Sequence, residues 1–273
     1  MLSLKPSLKL VVIAIGCLLA GLAANAQSVG LAPAQIVEKF KPGVPFQLDL
    51  ATVNNGGQDV EMSVEITDFW YNDQNEKTFT VPGTSPRSAA NWIQFVPETF
   101  HVAAGGTQKM KAIVTPPADA RGGYYAVLFV NSKPELSFDK KNGKQVYTKM
   151  RLGCLVLLSA DKTEDFKTEI TNLKLTPPSA NQGLSLDFDL LNAGNTHIFP
   201  LARVAVLDAK HKLVAKADNQ EEVKRFLPGQ KNSVHVGWTG VLPAGEYSAV
   251  LTLSYGEDRV ETQQVPFTIP EKQ

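Results

Sequence analysis

Short apolar runs with a period of two, each broken after a few residues by Gly, Asn, Asp or Pro, constrain this chain more than any other feature. Val60-Glu-Met-Ser-Val-Glu-Ile66 alternates throughout and puts Val60, Met62, Val64 and Ile66 on one face. Successive side chains of a strand point to opposite sides, so this pattern suits a half-buried strand and not a helix. Phe46-Gln-Leu-Asp-Leu50, Leu184-Ser-Leu-Asp-Phe-Asp-Leu190, Val234-His-Val-Gly-Trp238 and Ser248-Ala-Val-Leu-Thr-Leu-Ser-Tyr255 repeat it. Asn54-Asn-Gly-Gly57 and Asn192-Ala-Gly-Asn195 follow two of these runs as turn signals. No amphipathic helix longer than two turns can be traced, so the chain reads as all-β.

Two stretches recur at matching spacing. Leu48-Asp-Leu-Ala-Thr-Val-Asn-Asn-Gly-Gly57 aligns with Leu186-Asp-Phe-Asp-Leu-Leu-Asn-Ala-Gly-Asn195, and Gly122-Gly-Tyr-Tyr-Ala-Val-Leu128 aligns with Gly245-Glu-Tyr-Ser-Ala-Val-Leu251. In each half an apolar strand also meets a Gly-containing turn, at Phe100-His-Val-Ala-Ala-Gly-Gly106 and Phe226-Leu-Pro-Gly229. A repeat of this kind sets the domain count, and 273 residues agree with two domains of roughly 100–200 residues. A tyrosine entering a late strand, with its hydroxyl tied to nearby backbone, suits an immunoglobulin-like sandwich. The expected organisation is therefore two tandem immunoglobulin-like β-sandwich domains, over residues 27–160 and 161–273, the second being fibronectin III-like. The charged stretch Ala160-Asp-Lys-Thr-Glu-Asp-Phe166 is read as a wet linker between them.

Residues 1–26 read as a cleaved signal peptide. Lys5 and Lys9 form a basic start, Leu10 to Ala24 is uncharged and apolar, and Ala24-Asn25-Ala26 is a small-x-small cleavage site. The apolar stretch is shorter than the ~20 residues a spanning helix requires, and no second run reaches that length, so no membrane span is expected after cleavage. Cys17 is removed with the leader, and Cys154 in Arg151-Leu-Gly-Cys-Leu-Val-Leu-Leu158 is expected as a buried, inert thiol. The expected location is the periplasm or the secreted space.

Charge and motifs narrow the function by exclusion. Lys+Arg and Asp+Glu both number 27, which argues against an electrostatic nucleic-acid binder. His101, His197, His211 and His235 have no ligand spacing, so no metal site is expected. There is no Gly-x-Ser-x-Gly elbow, P-loop or dinucleotide fingerprint, so neither catalytic residues nor a cofactor are assigned and the chain is read as a non-enzyme. Asp187 and Asp189 share the outer face of one strand and are expected in solvent. Lys140-Lys-Asn-Gly-Lys144 reads as a basic hairpin tip. Trp92 and Phe95 are expected in a core. Trp70 and Tyr71, next to polar Asn72-Asp-Gln-Asn75, are candidates for an aromatic contact with glycan or protein.

The first half resembles the N-terminal domain of PapD-like periplasmic pilus-assembly chaperones. Val29-Gly-Leu-Ala-Pro-Ala-Gln-Ile-Val37, Gln47-Leu-Asp-Leu50, Trp92-Ile93, Pro97-x-x-Phe100, Gly105-Gly106, Met110 to Pro117, Tyr125 to Pro134 and Thr148-Lys-Met-Arg-Leu152 carry that resemblance. It implies a cleft between domains in which two basic residues hold the terminal carboxylate of a client subunit, and a strand that completes the client's sheet. Arg151 falls at one basic position, with Lys149 beside it, while neutral Gln35 falls at the other. The segment Lys140 to Gln145, where the family presents alternating apolar residues, is charged here. The second half, Lys167 to Ile269, is similar to the Ig-like module of WxL-interacting surface proteins. The implied function is capture of an extended partner segment, from a surface-fibre subunit or another envelope protein, during assembly of pili or other fibres. A structural or adhesive module binding a cell-wall polymer or surface protein is the alternative.

Overall fold

The computed structural model describes residues 29–72, 74–138, 143–219, 224–256 and 258–271. The expected leader with Cys17, and residues 140–142 of the lysine-rich hairpin tip, lie outside the described residues. All regular structure among the described residues is strand apart from one 3-10 turn, Ala90–Trp92.

Residues 29–160 form two facing sheets. One has the order β1 (Val29–Ala32), β3 (Phe46–Asn54), β8 (Thr107–Val114) and β6 (Ile93–Val96). The other runs β2 (Gln35–Phe40), β12 (Arg151–Ala160), β9 (Gly122–Ser132), β4 (Val60–Tyr71) and β5 (Lys77–Thr80), with β7 (Thr99–Val102) also paired to β4. Between β9 and β12 a ribbon of β10 (Glu135–Phe138) and β11 (Gln145–Thr148) extends the hairpin. From residue 168 a second sandwich follows. Its sheets are β13 (Thr168–Thr176), β14 (Leu184–Asn192) and β17 (Lys231–Trp238), then β16 (Leu213–Asp218), β15 (Leu201–Asp208), β18 (Gly245–Ser254) and β19 (Val260–Ile269). The chain is all-β, in two tandem immunoglobulin-like sandwiches.

The alternating residues place the cores. Leu48, Leu50, Val60 and Met62 are buried with Phe95, Leu128, Cys154 and Leu158 between the first pair of sheets, and Val64, Ile66 and Trp92 pack against them. Leu184, Leu186, Phe188 and Leu190 do the same in the second sandwich, with no residue common to the two clusters. Each such burial stabilises by about 1.5–3 kcal/mol, and a one-residue register slip would turn the whole set toward water. Asp187 and Asp189 consequently face outward, where Asp187 meets His235 at 2.7 Å and Asp189 accepts from Ser233 at 2.7 Å.

The internal repeat has a physical counterpart. Asn54 and Asn192, at the ends of β3 and β14, are fully buried. Asn54 Nδ2 donates to the carbonyls of Gln58 (2.7 Å) and Val102 (3.2 Å), while its Oδ1 accepts from the Gly56 N–H at 2.9 Å. Asn192 Nδ2 donates to Thr196 O (2.8 Å) and Phe226 O (2.9 Å), while its Oδ1 accepts from Gly194 N–H at 3.1 Å. One amide thus pins two loops in each sandwich, satisfying backbone groups that would otherwise be buried without partners. The paired tyrosines also match. Tyr247 donates its hydroxyl proton to Pro243 O at 3.0 Å, and the Tyr124 hydroxyl accepts from Arg121 N–H at 3.2 Å.

Candidate functional site

Strand β12 is where the candidate site begins, because its two halves differ. Antiparallel β9 covers one edge from Arg151 to Ala160. Parallel β2 covers the other edge only from Leu155 to Ala160. Leu155 donates its N–H to Ala34 O at 3.0 Å. The main-chain groups of alternate strand residues point the same way, so the N–H and C=O of Gly153 and Arg151 project from the same edge. No strand among the described residues pairs with them there. That short stretch is a free template for another chain.

The side chains around this edge are tightly placed. The Arg151 guanidinium lies 3.6 Å from the centroid of the Phe129 ring and bonds Glu65 through Nη2 at 3.0 Å. Asn131 holds the other Glu65 oxygen at 3.1 Å. Gly153 is required beneath Phe129, since a Cβ there would stand 2.9 Å from a ring carbon. Phe79, itself half exposed, meets the Phe129 ring edge-on at 5.1 Å. Lys149 is exposed just before β12. Leu136 and Tyr147 on the β10–β11 ribbon are exposed and opposite one another in register.

Gln35 is not brought together with Arg151. It pairs opposite Leu155, four residues and therefore roughly 13 Å along β12. Its Oε1 instead accepts a hydrogen bond from Arg225 Nη1 at 2.6 Å, across the cleft from the second sandwich. Gln35, Tyr71, Phe199, Lys224, Arg225 and Asn232 are among the residues lining a cavity of about 440 Å³ at this point. Lys77 approaches the same arginine. Burial, and then the neighbouring Arg225 charge, lower its pKa below the ordinary lysine value. No ion pair involving Lys77, Lys224 or Arg225 occurs among the described residues, and Lys224 and Arg225 line the cavity with the Gln35 amide on its other wall. The sequence signal was the dipeptide Lys224-Arg225 ahead of Phe226-Leu-Pro-Gly229, but chain order does not indicate its return to Gln35.

The two sandwiches meet along a seam that sequence reading treated as a linker. Glu164 is an ion-pair partner of Lys39 at 3.3 Å with its side chain only 5% exposed, contrary to the solvated role expected for it. Asn195 ties both sides, accepting from Asp165 N–H through Oδ1 at 2.8 Å and donating to Thr163 O at 3.0 Å. The Gly123 N–H donates to Asn195 O at 2.9 Å, and Ser159 and Thr196 share a buried hydrogen bond of 3.0 Å. Gly122 adopts φ +71°, and a Cβ there would meet Asn195 O. The outer face of the β12–β9–β4 sheet adds Leu157, Val127, Tyr125 and Phe69, which are buried with Leu227 of the second sandwich.

Trp70 and Tyr71 belong to that seam. Both are half-buried against its apolar cluster, with Trp70 5.6 Å from the Tyr125 ring. Asn75, in the following turn, donates to Lys231 O at 2.6 Å. The aromatic group packs against the second sandwich, and Trp70 and Tyr71 also line a cavity of about 310 Å³ with Leu227, Pro228 and Lys231. Cys154 is fully buried, and burial pushes its thiol up to about 12.

No group of three or more His, Cys, Asp or Glu among the described residues is arranged to hold a metal ion. Ser185, Asp187 and His235 converge, but Asp187 stands in the middle, accepting from Ser185 at 3.0 Å and meeting His235 at 2.7 Å. A nucleophilic relay requires the histidine next to the hydroxyl. No described helix is long and apolar enough to cross a membrane.

No family model matches the sequence, and neither does any curated protein. Solved structures similar to the chain include the class 5 fimbriae chaperone CfaA, at 9% identity and TM-score 0.48 over 89% of this chain and 100% of that one. The E. coli chaperone DraB is similar at 12% identity and TM-score 0.40, over 89% of this chain and 99% of that one. A chain from the complex of the Salmonella enterica SafA pilin with the SafB chaperone is similar at 11% identity and TM-score 0.42, over 90% and 99%.

Proposed function

We propose that this chain is a non-enzymatic, chaperone-like protein of the periplasm that holds an extended segment of a surface-fibre subunit along the open edge of β12. The observation that carries this is the uncovered stretch at Arg151–Cys154, where β2 has not yet joined the sheet. A partner strand added there would take main-chain hydrogen bonds from Arg151 and Gly153, and apolar side chains beside them would supply specificity. Exposed Phe79, edge-on to Phe129, and exposed Leu136 on the β10–β11 ribbon offer apolar surface in the first sandwich.

The basic groups divide the work along the strand. Arg151 and Lys149 stand at its open end, and Arg151 is already fixed by Phe129 and Glu65. At the covered end Gln35 lacks a charge of its own, and Arg225 faces it from the second sandwich. A partner's terminal carboxylate entering the cleft would receive a charge-assisted bond from Arg225, which is stronger than any bond Gln35 alone could make.

The test is capture of partners from the native envelope extract by the mature chain, with mass spectrometry of what is retained. Retention of one fibre-like subunit, weakened by Arg151→Glu and by Arg225→Glu with circular dichroism unchanged, is the expected result. Retention unaffected by both substitutions would refute the edge-and-cleft site. Retention of wall fragments in place of a subunit would refute the chaperone role.

A further inference from the structure

The most unusual ionisable group outside the partner site is His197. It is only 6% exposed and sits on the seam, with its ring edge-on to Tyr125 of β9 at 5.8 Å and to Phe199 at 5.7 Å. Its Nδ1 is buried and makes no hydrogen bond. Among the described groups packed around it, the charged neighbour is Arg225, a cation. Arg87 lies beyond Tyr125, with Nη1 bonded to Gly123 O at 3.3 Å, and is also cationic. Glu164, a buried carboxylate of the junction, is paired with Lys39. A positive charge on His197 would therefore be desolvated between aromatic rings, beside a second positive charge and with no acid resolved against it among the described residues.

We propose that the seam is an acid-released latch: protonation of His197 undocks the second sandwich from the first and opens the cleft between them. Gly123, Asn195 and Thr196 hold the docked geometry while the ring is neutral, through contacts that depend on close fit and not on charge. Undocking carries the imidazole into water, where it keeps its proton without penalty.

The size and direction of the effect follow from linkage. In the docked form burial, with Arg225 second, pushes the His197 pKa down to about 4. An exposed histidine titrates near ~6.5. The docked state thus binds fewer protons, so docking is fully favoured above that value and weakens as the pH falls. The docking equilibrium should drop by about 30-fold at pH 5, and by up to about 300-fold once the pH is below the docked value.

The experiment labels one site on each sandwich of the full chain and follows their separation by energy transfer from pH 7.5 to 3.5. Far-ultraviolet circular dichroism is recorded at every point. The expected result is increased separation as the pH falls below about 6, while the strand signal is retained. The His197→Gln variant cannot take the proton and should stay docked over the same range. Opening of that variant at the wild-type pH would assign the effect to carboxylates such as Glu164 and overturn the latch. So would separation that appears only together with loss of the strand signal. Should the variant fail to fold, proton NMR of the wild-type imidazole decides. Titration of His197 near the ordinary value while the labels remain close would equally overturn it.

Discussion

The fit of Gly123 beneath Tyr125 can be broken and restored by two substitutions. A Cβ at Gly123 would stand inside contact distance of the Tyr125 hydroxyl, 2.9 Å from its Cζ and 3.1 Å from Thr196 Cα. Tyr125 is fully buried and cannot swing away, and Thr196 is held by Ser159. Gly123→Ala should therefore behave as overpacking, costing about 1–3 kcal/mol. For a chain of this size that lowers the melting temperature by roughly 2–4 °C per kcal/mol. The Tyr125 hydroxyl is buried beside the His197 main chain and the Thr196 side chain without a well-formed hydrogen bond, so Tyr125→Phe removes the nearest clashing atom at a modest cost of its own. The double variant should then recover at least about 1 kcal/mol relative to the sum of the single variants, a coupling well outside the ~0.5 kcal/mol scatter of independent sites. Urea denaturation of all four proteins measures it. Additivity within that scatter, or a Gly123→Ala protein as stable as wild type, would refute the claim that this glycine is selected by the seam.

Three further outcomes are expected. Asn54→Ala and Asn192→Ala should each destabilise by about 1–3 kcal/mol, because the first strands the carbonyls of Gln58, Val102 and Ala103 and the second those of Thr196 and Phe226, each with one N–H besides; a change below about 0.5 kcal/mol at either would show that water replaces the amide. Cys154 should react slowly with an aromatic disulfide reagent at pH 8 in the native chain and at the ordinary thiol rate in urea, and rapid native labelling would contradict its burial. The Lys77 amine should titrate below the ordinary lysine value by carbon-detected NMR and move part of the way back in Arg225→Met, since the Arg225 charge is the smaller of its two causes after burial; an unmoved value would place Arg225 elsewhere.

The fold was legible where one physical rule acts locally. Period-two alternation in Val60–Ile66 and Leu184–Leu190 reports which face is buried, and it fixes strand, face and register together. The repeated Asn-containing turns were legible as turns, although their deeper role was not. A buried amide that bonds loops forty-eight or thirty-four residues away looks, in sequence, like any turn asparagine. Glu164 was misread for a related reason. Charge in a connecting stretch usually signals solvent, but here a lysine on β2 closes over it.

The site was less legible because its partners are joined only by tertiary structure. Gln35 and Arg225 are 190 positions apart, and nothing in either local sequence distinguishes them from ordinary surface residues. Arg151 could be named only because the family resemblance puts a basic position there, and its contacts, Phe129 and Glu65, come from two other strands. Trp70 and Tyr71 were legible only in part. Aromatic residues beside a polar loop fit a binding platform and a domain seam equally well, and here they pack with Leu227 of the other sandwich while lining a cavity beside it. The same geometry links the partner cleft to His197, since Arg225 both faces Gln35 and disfavours charge on the imidazole. Burial is the main reason His197 stays neutral, and an anion seated at Arg225 would offset part of the smaller repulsion added by that guanidinium. Occupancy of the cleft and acid release of the seam should therefore be coupled through that single guanidinium.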